Sequence, residues 1–133
     1  AVLQGKRFLA AEDNFLNAGI LTELLELEGA TVEIVENGQL AVERFEACEP
    51  GEFDAILMDV QMPVMNGHAA TRAIRALERP DARTIPIIAM TADAFVEDEK
   101  AALAAGMNAH VAKPLEIADL KRAVDRLVEK GRP

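Results

Sequence analysis

Five polar side chains stand where apolar segments of this sequence end. Glu12 and Asp13 follow the first such segment, Asp59 the third, Thr91 the fourth and Lys113 the fifth. Carboxylates that are held close together repel each other unless a cation joins them, and hard oxygen ligands suit Mg²⁺. The combination therefore predicts a divalent-metal site that three carboxylates, one hydroxyl and one ammonium group surround.

Asp59 is the predicted nucleophile of this group. It stands alone at the tip of the central apolar strand, where a carboxylate can attack phosphorus and become an acyl phosphate. The metal ion would then join the phosphoryl oxygens to Asp13, with Glu12 as a direct or water-mediated ligand. Lys113 would neutralise a further phosphoryl oxygen, and Thr91 would donate a hydrogen bond.

The elements that must position these residues alternate between apolar runs and amphipathic stretches. Their period of roughly 25 to 30 residues is typical of a βα unit. Strands without polar alternation indicate a parallel sheet covered on both faces, so we expect a doubly wound α/β fold of three layers with five helices. In such sheets the ligand site lies beyond the carboxyl ends of the strands. The predicted strands are 7–11, 31–35, 53–58, 85–90 and 108–112.

The composition indicates one globular module with an excess of acid. The chain has 133 residues, of which 50% are hydrophobic and 28% are charged, a balance that supports a single core. Fourteen Lys and Arg against 23 Asp and Glu give a formal net charge of −9, the wrong sign for binding nucleic acid or anionic lipid.

The cysteine content, the uncharged stretches and the first residue bear on the cellular location and on whether the chain is part of a longer protein. The single cysteine, Cys48, excludes an internal disulfide, and no uncharged stretch reaches the roughly 18 residues that span a bilayer. We therefore expect a reducing, cytoplasmic location for this domain, although its parent protein could be membrane-anchored. The chain starts at Ala1 without a methionine, from which we expect a segment of a longer protein.

The motifs around the polar groups resemble those of the receiver domain of two-component response regulators, from about Lys6 to Leu127. The stretches that carry the resemblance are Ala11-Glu12-Asp13-Asn14, Met58-Asp59-Val60-Gln61-Met62-Pro63-Val64-Met65-Asn66-Gly67, Met90-Thr91-Ala92, and Ala105-Gly106-Met107 through Ala112-Lys113-Pro114. The resemblance implies a flavodoxin-like sheet in the order 2-1-3-4-5. It divides the chain into a linker remnant (1–5), a receiver domain (6–129) and a tail (130–133).

The resemblance also implies the reaction and its metal. A phosphohistidine on a kinase or phosphotransfer domain would donate a phosphoryl group to Asp59. Glu12 and Asp13 would form the acidic pair for Mg²⁺ or Mn²⁺, and the backbone carbonyl of Gln61 would complete the ligands. Lys113 would bind the phosphoryl group.

Switching and lifetime are further implications of the family. Thr91 would sense the phosphoryl group together with the residue three positions before Lys113, which is commonly Tyr or Phe and is His110 here. Gln61 and Asp93 would tune how fast the acyl phosphate hydrolyses. The helix predicted at 97–105 has the poorest apolar face of the chain, so we expect it to form the output surface with the fifth strand and the last helix.

The residues of these motifs resemble those of receivers fused to hybrid sensor histidine kinases. We also expect a bacterial signalling protein. Such a domain catalyses its own phosphorylation and slow dephosphorylation. Because this chain carries no ATP-binding motif, it is not expected to be a kinase by itself, whereas its parent would be one. No oligomeric state is indicated, and a monomer is compatible with the sequence.

Two other classes use part of this pattern. A haloacid-dehalogenase-like phosphohydrolase also combines an Asp nucleophile with Mg²⁺, Thr and Lys after parallel strands. It needs a second Asp two residues after the nucleophile, where this chain has Gln61. A pure interaction module on the same fold would keep the shape without the acids.

Overall fold

A single parallel sheet forms the centre of the molecule. The computed structural model describes residues 2–91, 96–113 and 115–130. Its strands are β1 (Arg7–Ala11), β2 (Thr31–Val35), β3 (Ala55–Asp59), β4 (Ile87–Thr91) and β5 (Ala109–Ala112). Their order across the sheet is β2-β1-β3-β4-β5, all parallel. This confirms the predicted flavodoxin-like fold.

Five α-helices connect and cover the strands. They are α1 (Phe15–Leu27), α2 (Gly38–Ala47), α3 (Gly67–Arg75), α4 (Val96–Ala105) and α5 (Ile117–Lys130), with a short 3₁₀ helix at Pro80–Ala82. The first three begin in the same way: the side-chain oxygens of Asn14, Asn37 and Asn66 each accept a hydrogen bond of 2.9 Å from the backbone N–H three residues later. An asparagine in this position satisfies a donor that the helix leaves unpaired.

Two hydrophobic clusters pack on opposite faces of the sheet. Alternate residues of β3 point to opposite sides, so that Ile56 packs with Phe45 of α2 and Ile74 of α3, whereas Leu57 packs with Leu25 of α1. Both faces of the central strands are therefore buried, which explains why their sequence shows no polar alternation. The expected three-layer arrangement is confirmed.

The buried face of α1 is narrower than the apolar face that its sequence suggests. Leu21 and Leu25 are buried, but Ile20 is 50% and Leu27 75% exposed. A helix that packs on a sheet buries one stripe, and α1 is apolar around more of its circumference than this stripe can cover.

Part of the segment 1–5, for which the sequence predicts a linker remnant, packs against the core, and the domain bounds stay a prediction. The side chain of Leu3 is fully buried in the cluster beneath α1 and α5, and Gly5 N–H donates to the carbonyl of Gly29 at 2.9 Å. Leu3 therefore belongs to the core. Of the expected tail at 130–133, the described residues include Lys130 alone, which ends α5.

Within the described ranges, no helix combines the length and the apolar character that crossing a membrane requires.

Gly67 lets α3 begin directly against the strand that carries Asp59. Its N–H donates to the carbonyl of Val60 at 3.0 Å, and a Cβ added at Gly67 would lie 2.3 Å from the backbone oxygen of Asp59. A methyl group fits only if the backbone of β3 or α3 moves.

We expect Gly67→Ala to lower the free energy of unfolding by about 2 kcal/mol or more, because backbone atoms must give way. Urea unfolding measures this change. Gly19→Ala is the matched control, since Gly19 lies within α1 with no atom near an added Cβ, and it should stabilise the protein by about 0.5 to 1 kcal/mol. Equal effects of the two substitutions would contradict the prediction.

Candidate functional site

Three carboxylates converge at the carboxyl ends of β1 and β3. Glu12 follows β1 and is 3% exposed, Asp59 ends β3 and is 5% exposed, and Asp13 is exposed to solvent. Carboxylate oxygens of the three residues lie within 4.8 Å of one another. The structure thus brings together the acids that the sequence placed at separate strand ends.

Lys113 joins the two buried acids of this group. Its Nζ lies 2.8 Å from Oε2 of Glu12 and 2.7 Å from Oδ2 of Asp59. Its backbone N–H donates to the carbonyl of Thr91 at 2.9 Å, which continues the pairing of β5 with β4. One ammonium group therefore bridges two carboxylates, while Asp13 lies outside this bridge.

The electrostatics of the group follow from this shared cation. Burial raises the pKa of Asp59 above its ordinary value, and the nearby charge of Glu12 adds to this, while the hydrogen bond from Lys113 opposes it. Burial alone would lower the pKa of Lys113, but its hydrogen bonds to Asp59 and Glu12 outweigh burial and raise that pKa. The lysine is held charged, and the cluster keeps an excess of negative charge.

Backbone groups support the two buried carboxylates. Asn14 N–H donates to Oε1 of Glu12 and Gln61 N–H donates to Oδ1 of Asp59, each at 3.2 Å. Both are local contacts across two residues, so the turns that follow β1 and β3 help to orient the acids.

These groups surround an open pocket of about 220 Å³. All the predicted polar residues that the structure describes, except His110, line it: Glu12, Asp13, Asp59, Gln61, Thr91 and Lys113. Thr91 is the last residue of β4 and Asp59 the last of β3, so both lie one position inside the strands that were expected to end before them. Additional parallel pairing extends these strands.

Of the predicted residues that the structure describes, His110 does not line the acidic pocket. His110 is half-buried on β5 opposite Ala89 and lines a different cavity, together with Arg122 and Arg126 of α5. Its switching role stays a prediction. Asp93 lies outside the described residues, so its assignment remains a prediction from the sequence.

An exposed apolar surface beside the pocket was missed from the sequence. Phe15 is 94%, Leu16 70% and Val64 82% exposed; the first two follow the pocket-lining Asn14, and Val64 lies in the loop after Gln61. The sequence did contain a sign of this exposure, because Phe15 and Leu16 do not share the helical spacing of the buried Leu21 and Leu25. Large apolar side chains in such positions favour contact with a partner.

Comparison with known proteins assigns the family. The model of the family described as "Response regulator receiver domain" matches residues 8–125, which confirms the resemblance carried by the motifs. Among curated relatives, the sensor protein GacS of Pseudomonas syringae is 40% identical over 119 residues, and probable histidine kinase 5 of rice is 36% identical over 147. These alignments cover 89% and 97% of this chain but 13% and 12% of the relatives.

A solved structure agrees with the same assignment. The receiver domain of sensor histidine kinase PA1611 from Pseudomonas aeruginosa, with a magnesium ion in its active-site cleft, is 41% identical with a TM-score of 0.82. The match covers 94% of this chain and 98% of that one. Since curated relatives come from bacteria and plants alike, the expected bacterial origin stays a prediction.

The shared lysine predicts how Asp59 affects stability. At neutral pH, without divalent ions, Asp59→Asn should raise the free energy of unfolding by about 1 kcal/mol, because it removes one buried like charge and leaves Lys113 paired with Glu12. Since the folded-state pKa of Asp59 is raised, the charged carboxylate destabilises the folded state as pH rises through that pKa. The gain from Asn should therefore shrink as pH falls toward about 4.

Urea unfolding in EDTA at several pH values measures this effect. Asp125→Asn, at an exposed position of α5, is the control and should show no gain of comparable size. A lower stability of Asp59→Asn at neutral pH would refute the interpretation.

Proposed function

This chain belongs to the response regulator receiver domain family, and we propose that Asp59 is its phosphoacceptor in a two-component phosphorelay. The observation that carries the proposal is the position of Asp59: a buried carboxylate that faces an open pocket, between two further acids and one lysine. Such a carboxylate is accessible to phosphorus while its neighbours supply charge for the reaction.

In the proposed reaction, an oxygen of Asp59 attacks the phosphorus atom of a phosphohistidine. A phosphorus–oxygen bond forms, the phosphorus–nitrogen bond breaks, and its electron pair returns to the imidazole of the donor. The product is an aspartyl phosphate. Since the attacking atom must be an unprotonated oxygen, the bridge from Lys113 helps by favouring the charged form of the Asp59 carboxylate.

The residues present fit a hard divalent cation. Three carboxylates within 4.8 Å and a single ammonium group leave an excess of negative charge on oxygen donors, which suits Mg²⁺ or Mn²⁺. Glu12, Asp13 and Asp59 would hold the ion, with the backbone carbonyl of Gln61 as a further ligand. When bound, the ion supplies positive charge for the phosphoryl oxygens.

Lys113 and Thr91 would respond to the product. Phosphorylation adds roughly two negative charges at pH 7, so the ammonium of Lys113 gains a stronger partner than the Asp59 carboxylate that it bridges now. The hydroxyl of Thr91, at the rim of the same pocket, would donate to a phosphoryl oxygen. Gln61, which is exposed beside Asp59, and Asp93 would set how readily water reaches the acyl phosphate.

The output would pass through the face formed by α4, β5 and α5, with His110 on β5 as a candidate switch residue. Among the described side chains of α4, the buried ones are Ala102 and Ala105. Alanine side chains bury little apolar area, so the described part of α4 would change its position at a lower cost than α5, which buries Leu120 and Val124.

We further infer that the donor is a histidine-phosphorylated kinase or phosphotransfer domain, and that the parent protein is a hybrid histidine kinase. The alignment to curated histidine kinases supports this context, although the chain spans about an eighth of the length of those relatives. We place the domain in the cytoplasm. The exposed side chains of Phe15, Leu16 and Val64 would contact the donor as its phosphohistidine enters the pocket.

Incubation with acetyl phosphate tests the phosphoacceptor. Intact mass should show the gain of one phosphoryl group that requires both Mg²⁺ and Asp59. Asp59→Asn should gain none, whereas Asp125→Asn should behave like the wild type. Equal phosphorylation of Asp59→Asn would overturn the assignment, and steady release of phosphate at enzyme-like turnover would favour a phosphohydrolase.

Phe15→Ala tests the docking surface. We expect it to slow transfer from a phosphohistidine domain by about tenfold, the effect of losing an aromatic contact worth roughly 1.4 kcal/mol. Phosphorylation by acetyl phosphate should stay unchanged, because this small donor needs no docking surface. Both rates can be followed by intact mass.

Leu27→Ala is the matched control for Phe15. Leu27 is similarly exposed and lies on the same helix, but roughly 18 Å further along its axis. It should leave both rates unchanged. A loss of acetyl phosphate reactivity in Phe15→Ala would indicate damage to the site around Asp59 and would refute the docking interpretation.

A further inference from the structure

Arg75, the last residue of α3, is a half-buried cation that the proposed reaction does not use. Its guanidinium makes five hydrogen bonds, all to uncharged oxygens. Nε and Nη2 donate to the carbonyl of Gly106 at 3.0 and 2.9 Å, Nη1 donates to the carbonyls of Ala82 and Ile85 at 3.0 and 2.8 Å, and Nη2 donates to Oδ1 of Asn108 at 2.8 Å.

This arrangement uses the full donor capacity of an arginine. A guanidinium has five N–H donors in a rigid plane, and here each has a partner. Burial lowers the pKa of Arg75, and its guanidinium forms no ion pair within the part of the chain that the structure describes. Among the described residues this partly desolvated charge therefore has hydrogen bonds in place of a counter-ion, and it depends on all of them being present.

The turn between α4 and β5 is shaped around this side chain. Gly106 has a backbone φ of +110°, and a Cβ at this position would lie 3.0 Å from Cγ of Arg75. The turn thus requires glycine at position 106 for two reasons, its backbone conformation and the close approach of the arginine.

Asn108 connects Arg75 to the pairing of β5 with β4. The Oδ1 atom that accepts from Arg75 also accepts from Ile87 N–H at 2.8 Å, and Asn108 N–H donates to the carbonyl of Ile87 at 2.8 Å. These contacts set the first step of the register, in which Ala109 lies opposite Ile88.

The other end of this strand carries Lys113. β5 has four residues and lies at the edge of the sheet, so β4 is its one neighbouring strand. After Ala112, the N–H of Lys113 donates to the carbonyl of Thr91, and its ammonium reaches Glu12 and Asp59. In a strand this short, a change of register at Asn108 also moves Lys113.

We propose that Arg75 is a positioning residue for the acidic site: through Asn108 it fixes the register of β5 on β4, and this register places the Lys113 ammonium between Glu12 and Asp59. The proposal extends the role of the site to a side chain near the opposite end of β5. Its test rests in part on the proposed divalent-metal binding and does not require phosphoryl transfer.

Competition between Lys113 and Mg²⁺ for the same carboxylates provides the measurement. Lys113→Met should tighten Mg²⁺ binding by about tenfold, because an ammonium no longer neutralises Glu12 and Asp59. If Arg75 positions that ammonium, Arg75→Met should tighten Mg²⁺ binding by about threefold or more. Titration of the chain with MgCl₂, followed by NMR, gives the dissociation constants.

A double-mutant cycle separates positioning from general destabilisation. In the Lys113→Met background, Arg75→Met should no longer change the affinity for Mg²⁺. Arg79→Met is the matched control, because Arg79 also donates to backbone carbonyls, those of Phe45 and Glu46 at the end of α2, but does not contact β5. It should leave the affinity unchanged.

Two results would overturn the proposal: unchanged Mg²⁺ affinity in Arg75→Met, or a change that persists in the Lys113→Met background. If Arg75→Met does not fold, Asn108→Ala replaces it, since this variant keeps four of the five hydrogen bonds of Arg75. It should tighten binding in the same direction, and wild-type affinity would then refute the role of Arg75.

Hydrogen exchange at the Lys113 amide is a second readout that needs no metal. In Arg75→Met this amide should exchange at least tenfold faster relative to the Leu9 amide in central β1, because its bond to Thr91 depends on the register of β5. Equal relative protection would overturn the proposal. Should the wild type fail to bind Mg²⁺, the proposed metal site fails, and this exchange ratio still decides the role of Arg75.

Discussion

One ammonium group shared by two buried carboxylates is the interaction on which the site depends. Lys113 lies within 2.8 Å of both Glu12 and Asp59, and a single positive charge offsets one of the two. With Asp13 exposed and the other two acids buried, the pocket keeps an excess of negative charge. Like charges held this close are tolerated where the surrounding structure imposes them. The three carboxylates could therefore hold a further cation.

The parallel sheet is what imposes this arrangement. Its order places the carboxyl ends of β1, β3, β4 and β5 next to one another, and apolar packing on both faces leaves the strands little freedom to shift. Gly67 then brings the start of α3 against the backbone of Asp59. The packing of the hydrophobic core thus offsets the electrostatic repulsion between the acids, although the core residues have no part in the chemistry.

The sequence predicts the contacts that follow from pattern and misses those that follow from shape. Strand positions and the converging acids were predictable because parallel strands end at one edge, and the strand order followed from the motifs. The burial of Leu3, however, depends on its packing in one hydrophobic cluster with residues of α1 and α5. Arg75 left no signal, because four of its five hydrogen bonds go to backbone carbonyls, which any residue supplies, and Asn108 lies 33 positions away.

Two cations, Arg75 and Lys113, act at opposite ends of one short strand, β5. Arg75 holds β5 and the end of α4 through Asn108 and Gly106, whereas Lys113 holds the other end of β5 to the acids. On the proposed function, phosphorylation draws the ammonium of Lys113 toward a new anion while the Asn108 end stays in place. The proposed displacement would then begin at the carboxyl end of β5. On the same proposal, a reorientation of α4 would pivot about its Gly106 end, because Arg75 holds the carbonyl of Gly106.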